Sequence, residues 1–169
     1  MITRTHQKGD AASAAVYSPC DRYRYSLTRI WDDGGRKACF VMLNPSTATE
    51  QRNDPTIERC ERRSRALGYG GVRIVNIFAW RETDPAALRA ANDPVGPDND
   101  SALRDAASWA DHVIAAWGVH GEHRRRGDEV LSLLRATGRP LFHLGLTRHG
   151  HPRHPLYVAY SKRPETWSE

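Results

Sequence analysis

Residues 22–31 (RYRYSLTRIW) alternate in polarity through Tyr23, Tyr25 and Leu27. A period of two predicts a half-buried strand, antiparallel and at a sheet edge. Asp32-Asp33-Gly34-Gly35 supplies the turn that follows. Four later stretches are short apolar runs: 38–43 (ACFVML), 72–79 (VRIVNIFA), 112–117 (HVIAAW) and 140–145 (PLFHLG). Short apolar runs without alternation predict strands covered on both faces.

Helical patterns separate these runs. Residues 55–67 begin with Pro55 behind Asp54, an N-cap followed by proline at the first helical position, and Gly68 closes the helix. Residues 84–91 repeat the Asp-Pro start and predict a second helix. A third helix is expected over 98–109 behind Asp98, and a fourth over 122–136, ending near Gly138. Strands alternating with helices predict an α/β fold with a parallel sheet and right-handed crossovers. The first dozen or so residues carry no such pattern, so 1–15 is expected to be a mobile segment and 16–169 a single domain.

Composition narrows the class. A length of 169 residues suits one core. No apolar run approaches the roughly 18 residues of a membrane span. The N-terminus has no hydrophobic signal core, so a cytoplasmic location without membrane association is expected. Cys20, Cys39 and Cys60 are widely spaced and form no C-x-x-C pair, which fits free thiols. Net charge is +5, and apart from Lys8, Lys37 and Lys162 the cations are arginine. Arginine suits bidentate phosphate recognition. The same enrichment follows from a GC-rich genome, so the charge permits a nucleic-acid partner without requiring one.

In open parallel sheets ligands bind beyond the carboxyl ends of the strands, and here each strand exits into a polar cluster. After the first buried run come Asn44, Pro45, Ser46 and Thr47, then Asp54. Asn-Pro-Ser is also a good turn. Asn76 lies within the second run, where a buried amide must either bond to the core or face a ligand. Phe78 and Arg81 follow it. The third run ends at Trp117-Gly118. Beyond it His120 and His123 have no clear third ligand, so no metal is expected. The last run leads to Arg153, His154 and Tyr157, and two prolines stiffen that loop. The loop 92–100 reads equally as a capped turn or as a lid over the strand ends.

The ordered segments VMLNPSTA, DPTIERC, VNIFAWRETDP, DPVGPDND, AWGVHG and PRHPLY resemble the bacterial and phage family named domain of unknown function 1643, over residues 22 to about 160. More loosely, their order is similar to the uracil-DNA glycosylase superfamily. That second resemblance implies a three-layer α/β/α sandwich around a mainly four-stranded parallel sheet, with the antiparallel strand at its edge. It also implies N-glycosidic hydrolysis of a damaged or modified base in DNA or a nucleotide, by a monomer without a cofactor. Asn44 would position the attacking water. His154 would donate a hydrogen bond to the leaving base, and Asn76 would read the base edge. Pro45, Ser46, Thr47, Asp54, Phe78 and Arg81 would contact substrate, as would Trp117, Gly118, Arg153 and Tyr157. The alternatives are a non-catalytic binder of modified nucleotide or single-stranded DNA, and a hydrolase of free nucleosides or nucleotides.

Two residues depart from the glycosylase pattern. Ser46 stands where those enzymes usually have glycine, and Leu156 replaces the serine that helps grip DNA. Leu156 or Tyr157 would serve as the wedge that enters a base stack. Three scattered cysteines cannot supply the four ligands of an iron–sulfur cluster.

Overall fold

A computed structural model describes residues 1–169. The chain opens with a hairpin, β1 (Ile2–Lys8) and β2 (Ala11–Tyr17), which turns at Gly9 with φ +60°. β3 (Arg24–Ile30) pairs antiparallel with β2. There follow β4 (Lys37–Met42), α1 (Pro55–Ala66), β5 (Gly71–Asn76), α2 (Pro85–Ala90) and α3 (Asn99–Trp109). β6 (His112–Ala115), α4 (Arg126–Ala136), β7 (Leu141–His143) and the short β8 (Glu165–Thr166) complete the chain.

All eight strands form one sheet in the order β1-β2-β3-β5-β4-β6-β7-β8. The four expected parallel strands are its contiguous centre, β5-β4-β6-β7. Two expectations are corrected. Residues 1–15, expected to be a segment outside the domain's elements, form β1 and most of β2, and β3 is therefore third from the edge. β1 is largely polar and exposed, so pairing with its neighbour, rather than apolar burial, makes it a strand.

Successive residues of β4 enter opposite cores. Ala38, Phe40 and Met42 pack with Ile57 and Cys60 of α1. Cys39 and Val41 pack with Leu103, Ala106 and Ala107 of α3 and with Val130 and Leu134 of α4. Each helix presents its apolar residues at three- and four-residue spacing. Asp54 caps α1 by accepting from Ile57 N at 2.9 Å, with Pro55 in the first turn.

The fourth helix starts later than its pattern implied. Residues Val119–Arg125 form a 3₁₀ segment, and α4 begins at Arg126 because Arg124 and Arg125 lie at φ +55° and +54°. This break lets Gly121 and Gly127 close on the Trp117 indole, where an added β-carbon would come within 2.3 Å and 2.8 Å respectively.

The strand order positions the site. β4 feeds α1 on one face of the sheet, whereas β6 leads to α4 on the other. The two exits diverge, and a crevice opens between the carboxyl ends of β4 and β6, the place where doubly wound sheets bind ligands.

Candidate functional site

A cleft of about 550 Å³ occupies that crevice. Leu43, Asn44 and Ser46 enter it from β4, and Trp117, Gly118, Val119 and His120 from β6. Thr147, Arg153, His154, Leu156 and Tyr157 enter after β7, while Glu82, Thr83 and Pro85 form a further wall. A deeper chamber of about 40 Å³ adjoins it and shares Asn44, Ser46, Thr56 and His154. Its other walls are Arg24, Asp54 and Asn76, with Met42, Ile57 and Ile74. A space of that size admits a water-sized group.

Asn44 sits two residues beyond β4. Its Nδ2 donates to the carbonyl oxygens of Glu82 at 2.5 Å and Pro45 at 3.2 Å. Two carbonyls against the amide nitrogen fix the orientation of the group and leave Oδ1 as its unused acceptor. The Glu82 wall is held in place by its own N–H, which donates to Pro45 O at 3.0 Å. Beside it, Ser46 Oγ and Thr83 Oγ1 lie 2.8 Å apart in a hydrogen bond.

Asn76 ends β5 and is 2% exposed. Its backbone carbonyl accepts from Asn99 Nδ2 at 2.8 Å, but its side-chain oxygen has no protein partner. A buried amide oxygen without a donor costs free energy unless a ligand or water supplies one.

His154 precedes Pro155, which opens a 3₁₀ turn. Its Nδ1 accepts from Leu156 N at 3.3 Å. Burial pushes the imidazole pKa down to about 4, against the opposite pull of the Asp54 carboxylate. The ring is therefore neutral near pH 7. With Nδ1 accepting, the proton sits on Nε2, which is free to donate.

Asp54 lies between structure and site. Oδ1 caps α1, Oδ2 accepts from Ala48 N at 3.2 Å, and the residue also lines the chamber. Arg24 completes the polar set. It is 1% exposed, and Nη1 donates to Ala48 O at 2.9 Å. Burial lowers its pKa to about 10, with Asp54 acting the other way, so it is a cation at neutral pH.

The structure brings together Asn44, Ser46, Asp54, Asn76 and His154 around the chamber. Trp117, Gly118, Arg153 and Tyr157 lie around the wider cleft. Other expected contacts lie elsewhere. Phe78 is buried in the core beneath α3 and α4, with its ring 5.6 Å from that of His123. Arg81 binds Asp21 at 3.1 Å and covers the Tyr17 ring. Thr47 is exposed, and Pro45 is buried with its carbonyl holding Asn44; neither lines the cavities. His120 lines the cleft, whereas His123 packs on Phe78. Loop 92–100 is a turn bound to Tyr23 and to Ala79-Trp80.

Arg24, Thr56, Glu82 and Thr83 line the cavities without having been expected there. Arg24 is the consequential omission. In an edge strand its alternation with Tyr23 and Tyr25 assigns it to solvent; in the sheet a register shift between Val16 and Tyr17 sets Arg24 opposite Tyr17, and it enters the α1 side beside Met42, Ile57 and Ile74.

A family model described as "Protein of unknown function (DUF1643)" matches residues 24–156. No curated protein and no solved structure matches the chain.

Proposed function

This chain belongs to the DUF1643 family, and on that premise we propose that it is a glycosylase-like hydrolase acting on the N-glycosidic bond of a damaged or modified base in DNA or a nucleotide. One observation carries the reading: Asn44, Asn76 and His154, from three distant stretches of chain, line one chamber at the switch point of the sheet. The same proposal includes a three-layer arrangement akin to the uracil-DNA glycosylase superfamily, supported by helices on both faces of the sheet.

The residue chemistry fits the bond. As the sugar–base bond breaks, the sugar becomes cationic and the base anionic; water adds its oxygen to the sugar carbon, and the proton it loses passes through solvent to the base anion. Asn44 Oδ1 accepts from that water and fixes its position. The electron pair of the broken bond goes to the base, where a neutral imidazole donating from Nε2 stabilises it without first taking a proton. Asn76 presents its unpaired oxygen to a donor on the base edge. At the rim, Tyr157 is 84% exposed and Val119 is also exposed, a surface on which a nucleotide stacks.

The test is release of free base from oligonucleotides and nucleotides carrying uracil, hypoxanthine and modified bases. Release by the wild type is expected, with loss in Asn44→Ala and His154→Ala at unchanged secondary structure. No release from any substrate, while a control glycosylase cleaves the same panel, refutes it.

A second reading is favoured by the acidic side chains. Both Asp54 oxygens are occupied by backbone N–H groups, and Glu82 Oε1 accepts from Thr83 N and Asp84 N. Of these four carboxylate oxygens only Glu82 Oε2 has no protein donor, and neither Asp54 oxygen is open to take a proton from water, which suits a non-catalytic binder of modified nucleotide or single-stranded DNA. Ligand bound and recovered intact, with affinity falling as salt rises, is its mark.

A further inference from the structure

Among the fully buried arginines of this chain, Arg24 stands apart. Arg29 donates to Ser13, Thr49 and Asn53 and approaches Glu61 at 3.9 Å. Arg63 donates to three carbonyls, of Val158, Ala159 and Lys162. Arg126 binds Ile77 O, Asp100 and Glu129. Arg24 makes one side-chain hydrogen bond, to Ala48 O; its Nε–H has no partner, which is equally true of Arg29 and Arg63, so the scarcity of bonds at its Nη groups is what sets it apart. No carboxylate lies within ion-pairing distance of it. A buried guanidinium so sparsely bonded is costly unless something else meets its donors. Its place on the chamber wall, beside Asn76 with an orphaned oxygen, indicates what that is.

We propose that Arg24 is a ligand-contacting residue of this site, donating to a ring carbonyl oxygen of a bound heterocycle whose ring lies in the wider cleft and whose edge alone enters the chamber. Asn76 Oδ1 then accepts from the adjacent ring N–H. The pair reads a lactam edge, O=C–N–H, and rejects the amino-substituted counterpart, whose exocyclic group would place a donor against a donor. The inference rests on the reading of the cleft as a nucleobase pocket and adds the residue that sets its selectivity. It also has a kinetic consequence. The ring oxygen gains negative charge as the base leaves, so a fixed cation contacting it is worth more in the transition state than in the ground state.

The experiment is calorimetric binding of free bases to the full chain, comparing uracil with cytosine and hypoxanthine with adenine. The wild type is expected to bind the oxo member of at least one pair about tenfold or more tightly than its amino partner. Arg24→Lys and Arg24→Met should bring that ratio towards one, while the exposed Arg62→Ala keeps it. Because a core substitution can unfold the chain, the Nε–H resonance of Arg24 in the wild type gives an independent readout by nitrogen-15 NMR, and it should shift when the oxo base is added. Absence of oxo-base binding, a ratio unchanged in folded Arg24 variants, or an unmoved Nε–H resonance at saturation each overturns the assignment. Selective binding without base release leaves Arg24 in place and removes the hydrolase reading. Base release with selectivity indifferent to Arg24 does the reverse.

Discussion

Gly118 and His154 meet at the mouth of the cleft, where a β-carbon added to Gly118 would lie 3.5 Å from the His154 β-carbon. Gly118 has φ 73° and ψ −171°, a conformation left almost entirely to glycine. Its N–H donates to Pro152 O at 2.8 Å, tying the exit of β6 to the loop that carries His154. Gly118→Ala should therefore cost about 1–3 kcal/mol of stability and shift that loop. Urea denaturation read beside base release checks this, and a variant of wild-type stability would show that the strain is absent.

The imidazole of His154 makes stability depend on pH. Its folded pKa of about 4 lies below the ordinary value of 6.5, so the unfolded chain binds the extra proton first. The native state is fully favoured above about 6.5 and loses stability as pH falls towards 4. The loss from this group is on the order of 2 kcal/mol, allowing for its partial exposure. His154→Gln should flatten that slope in denaturation curves from pH 4 to 7. An equal slope in both proteins would mean that His154 is not held neutral.

Asn44→Ala removes the oxygen proposed to position water and the two donors that pin Glu82 and Pro45. Base release should fall about 100-fold or more. Asn44→Asp should fare no better, since a carboxylate oxygen would face two carbonyls. Single-turnover rates decide, and near-wild-type rates in either variant would take Asn44 out of the reaction.

Asn76→Asp exchanges an amide donor for an acceptor at a buried position. The order of release rates across the base panel should change, or release should stop. An unaltered order would mean that Asn76 does not read the base.

Asp54→Ala deletes two bonds to backbone N–H groups, at Ile57 and Ala48. A loss of about 1–2 kcal/mol is expected, with Asp54→Asn recovering part of it through the bond to Ile57. Chemical denaturation separates the two, and an Ala variant as stable as wild type would contradict the capping role.

The parallel centre of the sheet was legible because its apolar runs are short and lie between capped helices. The hairpin was not. Ile2–Lys8 is mostly polar and Ala11–Tyr17 is mostly small residues, so only their pairing reveals strands. Missing them placed β3 at the edge and hid Arg24. Phe78 was misplaced for a different reason. A continuing strand would keep it on the face of Asn76, but β5 ends at Asn76 and the chain turns Phe78 into the opposite core. Arg81 was drawn away by Asp21, far from it in sequence. Asn44 stood out in the sequence as a polar group directly after an apolar run, Asn76 as an amide inside one, and His154 as a polar group in a loop stiffened by two prolines.

The turn connecting β4 to α1 is moored at a distance. Ser13 Oγ donates to Glu50 O at 2.6 Å, Tyr17 OH donates to Glu50 Oε1 at 2.9 Å, and Arg29 holds Thr49 O and Asn53 Oδ1. Ala48, whose carbonyl steadies Arg24, belongs to that same span. The outermost hairpin thus has leverage over a recess that none of its own residues touches. Trimming this periphery would loosen the span that carries Ala48 and, with it, the seat of Arg24.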